Sequence, residues 1–187
     1  MKPPGALAGP FDDVSIHPTV QGQLDYESEM TVLIGKDGKN ISEADALDYI
    51  LGYTAGNAIS ARNFQLPDIS GGQFCCAKSF DAFALIGPCI VSPSLIPDPQ
   101  KLTYSTKVNG EVRQKSGTDD MIWSSRQNIA HLSRGTTLRR GTAIMTGTSS
   151  GVGFSMKDKH GFLNDGDTVE VEISEIGAIR NKMVYEK

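Results

Sequence analysis

Residues 24–34 constrain the fold of this 187-residue chain more than any other segment, because apolar or small residues alternate there with polar ones. A period of two is typical of a β-strand with one buried and one exposed face. The alternation places three acidic side chains on one face: Asp25, Glu27 and Glu29. Since like charges repel at this spacing, the face is solvated, holds a protonated carboxyl group, or binds a hard cation such as Mg²⁺. From the pattern alone, a solvated face is the preferred interpretation.

The rest of the chain predicts many short strands joined by turns. Glycine accounts for 20 residues and often stands in turn-like sequences, one of which, Asp37-Gly38, predicts a hairpin-like turn. Further strands are predicted at 101–108, 142–146 and 168–174, and helices over 42–52 and 118–135. The sequence therefore predicts a single domain over residues 1–187, of mixed α+β class, rich in β-strands and with a few short helices.

Composition excludes several classes of function. The net charge is −4, and no run of lysine and arginine resembles a nucleic-acid-binding patch. No apolar run approaches the roughly 20 residues of a membrane span. The three cysteines match neither a zinc site nor an even disulfide framework, and no signal-like segment follows Met1, so a cytosolic location is expected. The histidines His17, His131 and His160 neighbour no nucleophile and are interpreted as structural or surface residues.

Three further segments carry residues suited to binding or catalysis. Arg62 and Gln65 follow a run of small residues and lie on a predicted helical turn, and Arg62 either binds a carboxylate or enolate or makes a structural ion pair. Lys78 lies in a largely apolar stretch, where it either directs its charge at a ligand or extends towards solvent. The loop 146–153 offers backbone amides and the Thr148 hydroxyl to a carboxylate or oxyanion, unless it is a plain tight turn. It matches neither the P-loop nor the dinucleotide-binding glycine pattern.

Taken in order, these segments resemble the fumarylacetoacetate hydrolase family over almost the whole chain. The motifs are Leu-Asp-Tyr-Glu-Ser-Glu at 24–29, Ile-Gly-Lys at 34–36, Gly-Tyr-Thr-Ala-Gly-Asn at 52–57, Ser-Ala-Arg at 60–62, Ala-Lys-Ser-Phe-Asp at 77–81, Ile-Pro-Asp-Pro at 96–99, Val-Asn-Gly-Glu at 108–111 and Gly-Thr-x-x-Gly-Val-Gly at 147–153. The resemblance implies a β-sandwich or β-roll, usually a homodimer, that binds Mg²⁺, Mn²⁺ or Ca²⁺. Family members hydrolyse carbon–carbon bonds of diketo acids, or decarboxylate or tautomerise 2-oxo acids.

The resemblance also implies a role for individual residues. Glu27 and Glu29 match two metal ligands, and the cation they hold would stabilise an enolate formed from the substrate. The implied catalytic and substrate-binding residues are Lys78, which stabilises the oxyanion, and Arg62, Gln65, Gly147 and Thr148 on the substrate side.

The chain departs from the family pattern at two places. The third metal ligand of the family, an aspartate, is replaced here by Ala58, so the metal site is expected to be weak or lost. Hydrolytic members carry a lid with a catalytic histidine and glutamate before a Lys-Pro segment, which corresponds to Lys2-Pro3, and no residue of this chain matches that lid. Decarboxylation, tautomerisation or another enol rearrangement is therefore expected ahead of hydrolysis, because these reactions need no activated water.

Three interpretations remain open from the sequence. The first is an enzyme that acts on a small 2-oxo acid, diketo acid or other enolisable substrate, with no nucleic-acid or membrane partner. The second is a non-catalytic member that binds a ligand or a partner subunit, or an isomerase or cyclase that works without a metal. The third is an otherwise competent enzyme in which Ala58 replaces the metal-binding aspartate by design.

Overall fold

Two five-stranded sheets and one strand pair organise the chain in the computed structural model, which describes residues 1–156 and 161–187. The strands are β1 Leu7–Ala8, β2 Val14–Ile16, β3 Leu24–Asp25, β4 Ser28–Ile34, β5 Ile50–Ala58, β6 Ser60–Ala61, β7 Ala84–Val91, β8 Thr103–Val108, β9 Glu111–Gly117, β10 Ala143–Met145, β11 Thr168–Ile173 and β12 Gly177–Tyr185. The first sheet has the order β1-β7-β5-β4-β10, the second has the order β2-β12-β11-β8-β9, and β3 pairs with β6.

Helices are short in the described residues. The α-helices are α1 Pro67–Ser70 and α2 Ser125–Leu132, and the 3-10 helices are Pro4–Ala6, Pro18–Gln23, Ala46–Tyr49, Arg62–Gln65, Cys76–Lys78, Pro99–Lys101, Thr118–Asp120 and Gly153–Ser155. None of them is long and apolar enough to cross a membrane. His17 caps the second 3-10 helix by accepting the Thr19 N–H, His131 lies on α2, and His160 is outside the described residues.

One hydrophobic cluster joins the two large sheets. It includes Tyr53 and Leu85 from the first sheet and Val171 and Ile179 from the second, all of them fully buried. Sheet-on-sheet packing of this kind buries the apolar face of each sheet against the other. The predicted β-rich α+β fold with a few short helices is confirmed, and β8, β10 and β11 confirm the strands predicted at 101–108, 142–146 and 168–174.

The segment 24–34 is buried on both faces, so the preferred interpretation of a solvated acidic face is wrong. The residues Tyr26 and Glu27 separate β3 from β4, and β4 lies between β5 and β10 inside the first sheet. The exposed fractions of Asp25, Glu27 and Glu29 are 0, 6 and 5%. A period-two pattern shows which side chains share a face, but it does not show whether another part of the chain covers that face.

The region predicted as a helix over 42–52 is mainly turn and strand. The Ser42 hydroxyl accepts the Asp45 N–H at 3.2 Å, as expected of a helix cap, but only Ala46–Tyr49 is helical. Ile50 already begins β5, which pairs with β4 along its length. The predicted hairpin-like turn at Asp37-Gly38 is part of a longer connection, because residues 35–49 separate these two antiparallel strands. Pairing inside the sheet thus outweighs local helix signals.

The second predicted helix, over 118–135, is divided in two. The 3-10 helix Thr118–Asp120 is followed by α2, which begins at a capping box formed by Ser124 and Gln127. Between them Ile122 is 88% exposed, so one of the residues that supported a continuous apolar face does not pack. The strong capping box explains the late start of α2, because it satisfies backbone N–H groups that have no partner within the helix.

We predict that Tyr185→Phe lowers the free energy of unfolding by about 1 kcal/mol at pH 7, because the Tyr185 hydroxyl donates to the Leu163 carbonyl oxygen at 2.6 Å. Burial, and then the charges of Asp167 and Asp165, raise the pKa of Tyr185 to about 12 from its ordinary value of 10.0. A raised folded-state pKa stabilises the fold below pH 10 and loses that effect as the pH rises from 10 to 12.

The variant should therefore lose less stability than the native chain between pH 10 and 12, as measured by urea denaturation. Tyr49→Phe is the matched control, because the Tyr49 hydroxyl makes no hydrogen bond in the part of the chain that the structure describes. An equal loss in both variants at pH 7, or an unchanged alkaline slope in Tyr185→Phe, would contradict this account.

Candidate active site

Four charged side chains form a largely buried group, here called the charge cluster: Asp25, Glu27, Arg62 and Lys78. The Arg62 Nε donates to the Asp25 Oδ2 at 2.8 Å, and its Nη2 lies 2.9 Å from the Glu27 Oε1. The Lys78 Nζ donates to the Glu27 Oε2 at 2.5 Å. One carboxylate, Glu27, is thus paired with two cations at once.

Local strand pairing explains why these residues meet. In the β3–β6 pair, Asp25 lies opposite Ser60, and Arg62 follows directly as the first residue of a 3-10 helix. The Ser60 hydroxyl then accepts a hydrogen bond from the Lys78 Nζ at 2.7 Å, which brings the end of the 3-10 helix Cys76–Lys78 to the same place. The predicted helical turn at Arg62 and Gln65 is confirmed.

The two glutamates of the site have opposite electrostatic environments. Burial alone raises the pKa of Glu27, but the charges of Lys78 and then Arg62 outweigh it and hold that pKa below its ordinary value. Burial, and then the charge of Glu27, raise the pKa of Glu29 to about 7, although the Gly147 N–H donates to the Glu29 Oε2 at 2.6 Å. Two acidic residues that are two positions apart therefore avoid full like-charge repulsion, because one is ion-paired and the other holds its proton more readily.

The loop 147–153 is anchored to this cluster and is not a plain tight turn. Besides the Gly147 contact with Glu29, the Tyr26 hydroxyl donates to the Gly151 carbonyl oxygen at 2.8 Å. The Asp25 carboxylate accepts the Gly153 N–H at 2.7 Å and the Phe154 N–H at 2.9 Å. Thr148 lies within this loop and its hydroxyl accepts a hydrogen bond from the Gln114 side chain at 2.8 Å.

The structure brings all the predicted site residues into one connected network. Arg62 uses its guanidinium on ion pairs and on the Gln65 Oε1, which accepts from its Nη1 at 3.0 Å. This is the structural ion-pair interpretation of Arg62. Ala58 is 2% exposed, and its N–H donates to the Glu27 carbonyl oxygen at 2.9 Å, so it adjoins the pair of glutamates.

Sequence reasoning missed Lys2 as a residue of the site. Its Nζ donates to the carbonyl oxygens of Ile59, Lys78 and Phe83 at 2.9, 3.0 and 2.6 Å. Burial, and then the nearby charge of Lys78, lower the pKa of Lys2 to about 7. The Lys-Pro pair at the start of the chain was the only signal for it. Two further residues belong to the network. Asp25 was identified from the sequence only as one of three carboxylates, and Gln114 lies in no motif.

The oxygen ligands that this site can offer do not fit the three-carboxylate metal centre that the resemblance implies. Both Glu27 oxygens are in ion pairs, one Glu29 oxygen accepts a backbone N–H, and Ala58 offers no oxygen. Mg²⁺ requires oxygen ligands in near-octahedral geometry, and Ca²⁺ six to eight of them. Across residues 1–156 and 161–187, no group of three His, Cys, Asp or Glu side chains is placed to hold a metal ion.

Comparison with known proteins gives the family of the chain. The family model described as fumarylacetoacetate (FAA) hydrolase C-terminal matches residues 1–184. The oxaloacetate tautomerase YisK of Bacillus subtilis is 42% identical over 97% of this chain and 59% of its own length. The chain spans between 55 and 68% of the length of such curated relatives.

Solved structures share the fold. A fumarylacetoacetate hydrolase from Exiguobacterium antarcticum superimposes with a TM-score of 0.91 at 37% identity, covering 99% of this chain and 65% of that one. A 5-carboxymethyl-2-hydroxymuconate delta-isomerase from Mycobacterium smegmatis gives a TM-score of 0.88 at 34% identity, covering 100% of this chain and 68% of that one. The family match, the motifs around the charge cluster and the shared fold agree. These relatives are named as enzymes, and the chain belongs to the fumarylacetoacetate hydrolase family.

Proposed function

We propose that this chain catalyses the keto–enol tautomerisation of a small 2-oxo acid of the oxaloacetate type, with Lys78 stabilising the enolate and no resident divalent cation taking part. A tautomerase and an isomerase among the relatives support this class of reaction. Both names describe rearrangements of one molecule. Such reactions need stabilisation of an anionic intermediate and movement of protons, but no activated water.

The observation that carries the proposal is the state of the Lys78 ammonium group. Of its three N–H donors, one is directed at Glu27 and one at Ser60. No partner for the third lies within hydrogen-bond distance in the described part of the chain, and the side chain is 21% exposed. A held but incompletely paired ammonium group is suited to an oxygen atom that gains negative charge, because it is already oriented before the substrate arrives.

Neighbouring donors fit the carboxylate groups of such a substrate. Gln65 accepts from Arg62 through its Oε1, so its amide nitrogen is directed away from that contact. Thr148 accepts from Gln114, which leaves its own hydroxyl proton for donation. Both side chains can thus donate a hydrogen bond to a carboxylate group of a dianionic 2-oxo acid, and Gln65 does so beside the Arg62 guanidinium.

The proposed reaction balances in protons. The enol O–H proton passes to a water molecule as the C2–O bond becomes a carbonyl, and the carbon at position 3 takes one proton back from the hydronium ion so formed, so the solvent neither gains nor loses a proton. Lys78 donates a hydrogen bond to the C2 oxygen while that oxygen carries the negative charge. The charge cluster keeps Lys78 in place, because Glu27 is itself fixed by Arg62.

Ala58 stands where the family has its third metal-binding carboxylate, and this supports a role for Arg62 and Lys78 in place of a metal ion. Arg62 and Lys78 already neutralise Glu27, and Ala58 removes the anionic ligand that would favour a divalent ion. Decarboxylation of the same substrates also places negative charge on the C2 oxygen, in the shorter enolate that remains after CO₂ is lost, and is a second activity of this class. The homodimer and the cytosolic location suggested by the sequence stay predictions.

Lys78→Met should lower kcat for oxaloacetate tautomerisation by at least about 100-fold, the scale on which removal of one oxyanion donor acts. The rate is followed as loss of the ultraviolet absorbance of the enol, after subtraction of the spontaneous rate. Lys101→Met is the control, because the Lys101 side chain is 80% exposed and, among residues 1–156 and 161–187, forms an ion pair with Asp98 alone.

A Lys78→Met protein that folds and keeps its kcat within threefold of the native value would contradict the proposal. If the native chain binds oxaloacetate in calorimetry but does not accelerate its tautomerisation, the non-catalytic ligand-binding interpretation replaces it. Thermal melting of each variant separates loss of the fold from loss of the reaction, because removing one partner of a buried ion pair also destabilises the protein.

Ala58→Asp should create Mg²⁺ binding that the native chain lacks at millimolar concentrations. The added carboxylate supplies the missing anionic ligand, and we expect affinity to rise by at least about tenfold in calorimetry. The melting temperature of the variant should rise with added Mg²⁺, because a cation that binds only the folded state stabilises it. Ala58→Asn, which adds an amide of similar size without a charge, is the control. Equal Mg²⁺ affinity in the native chain and in Ala58→Asp would show that position 58 is not where the third metal ligand is missing.

A further inference from the structure

Gln114 is a fully buried polar residue that connects the two sheets at the edge of the candidate site. It lies on β9 of the second sheet and is 1% exposed. Its Oε1 accepts the Ser28 N–H of β4 at 3.2 Å and the Thr106 hydroxyl of β8 at 2.9 Å. Its Nε2 donates to the Thr148 hydroxyl at 2.8 Å and to the Ser149 carbonyl oxygen at 3.1 Å. Both ends of the amide are therefore satisfied.

These contacts fix which way the amide points. A backbone N–H can only donate, so the atom that faces Ser28 must be the Gln114 oxygen. A backbone carbonyl can only accept, so the atom that faces Ser149 must be the nitrogen. The two independent constraints agree, and they leave Gln114 a donor towards Thr148.

The direction of that hydrogen bond sets the chemistry of Thr148. Its oxygen accepts from Gln114, so its single proton is left to donate elsewhere. Within the described residues, no acceptor for this proton lies at hydrogen-bond distance. The loop is held at β9 closely enough for this contact because position 151 is glycine: a Cβ there would overlap the Arg113 carbonyl oxygen and crowd the Gln114 side chain.

We propose that Gln114 is a positioning residue for substrate binding: it holds the Thr148 hydroxyl as an acceptor and thereby aims its proton at a carboxylate of the substrate. This inference rests on the proposed function, because it assigns the direction of one substrate contact. Gln114 itself touches no substrate and acts only through Thr148 and the loop. A carboxylate bound equally in the ground state and the transition state affects KM more than kcat.

The sharpest test is Gln114→Glu, alone and combined with Thr148→Val. Because burial favours a protonated carboxyl group, which would still donate to the loop, the test is run at pH 9. There the ionised glutamate can accept from Ser28 and Thr106, but it cannot donate to the loop and draws the Thr148 proton towards itself. KM for oxaloacetate should rise about 10- to 100-fold with kcat within threefold, as for loss of a charge-assisted hydrogen bond. When Thr148→Val has already removed the hydroxyl, adding Gln114→Glu should change KM by less than about twofold.

Gln100→Glu is the matched control, because Gln100 is also bonded at both ends of its amide but contacts Thr118 and Ser125, not the loop. Its KM should equal that of the native chain. A KM that is unchanged in Gln114→Glu, or that rises equally with and without the Thr148 hydroxyl, would overturn the proposal.

Hydrogen exchange of the loop amides separates this proposal from the proposed function. The Gly147 amide should exchange about tenfold faster in Gln114→Glu, because the loop loses two hydrogen bonds. If the native chain shows no tautomerase activity but this acceleration is seen, the proposed function fails while Gln114 still positions the loop. If exchange is unchanged, Gln114 does not position the loop, whatever the activity of the chain.

Discussion

The pairing of Glu27 with both Arg62 and Lys78 is the interaction on which the rest of the site depends. Buried charges are tolerated only when they are paired and hydrogen-bonded, so the chain must bring two cations to one carboxylate that is 6% exposed. The position of each cation follows from the fold. Arg62 comes directly after β6, which pairs with β3, and Lys78 ends a 3-10 helix whose last carbonyl oxygen accepts a hydrogen bond from the Lys2 Nζ.

Some residues of the charge cluster are fully paired and stabilise the fold, whereas others keep the capacity to bind a substrate. Asp25 and Arg62 have structural roles. The Asp25 carboxylate accepts the backbone N–H groups of Gly153 and Phe154, and Arg62 forms ion pairs with both Asp25 and Glu27. Lys78 is only partly satisfied. Burial and the charge of Glu27 raise the pKa of Glu29, whereas the pKa of Glu27 is lowered by its two cations; among the described residues, no cation pairs with Glu29. Positions of incomplete pairing inside an otherwise satisfied network are where a substrate gains most from binding.

Much of the site could be predicted from the sequence, because short motifs carry it: Glu27 and Glu29 two positions apart in one acidic segment, Arg62 and Gln65 on a helical turn, and Lys78 in an apolar stretch. The fold class followed from alternation and turns. The burial of the acidic face did not, because it depends on distant segments that cover β4. Ile50 illustrates the same limit, since pairing with β4 overrides the helix signals before it. Gln114 lies in an ordinary polar strand, and only the approach of the loop 147–153 gives it a role.

We propose that the cations of the chain itself, and not a divalent metal ion, stabilise the enolate. The most direct measurement is the oxaloacetate tautomerisation rate of the native protein after exhaustive chelation, with the metal content checked by mass spectrometry and the spontaneous rate subtracted. The account predicts that kcat stays within about twofold of the untreated value and that added Mg²⁺ does not raise it. Loss of activity on chelation, restored by Mg²⁺ or Mn²⁺, would contradict it.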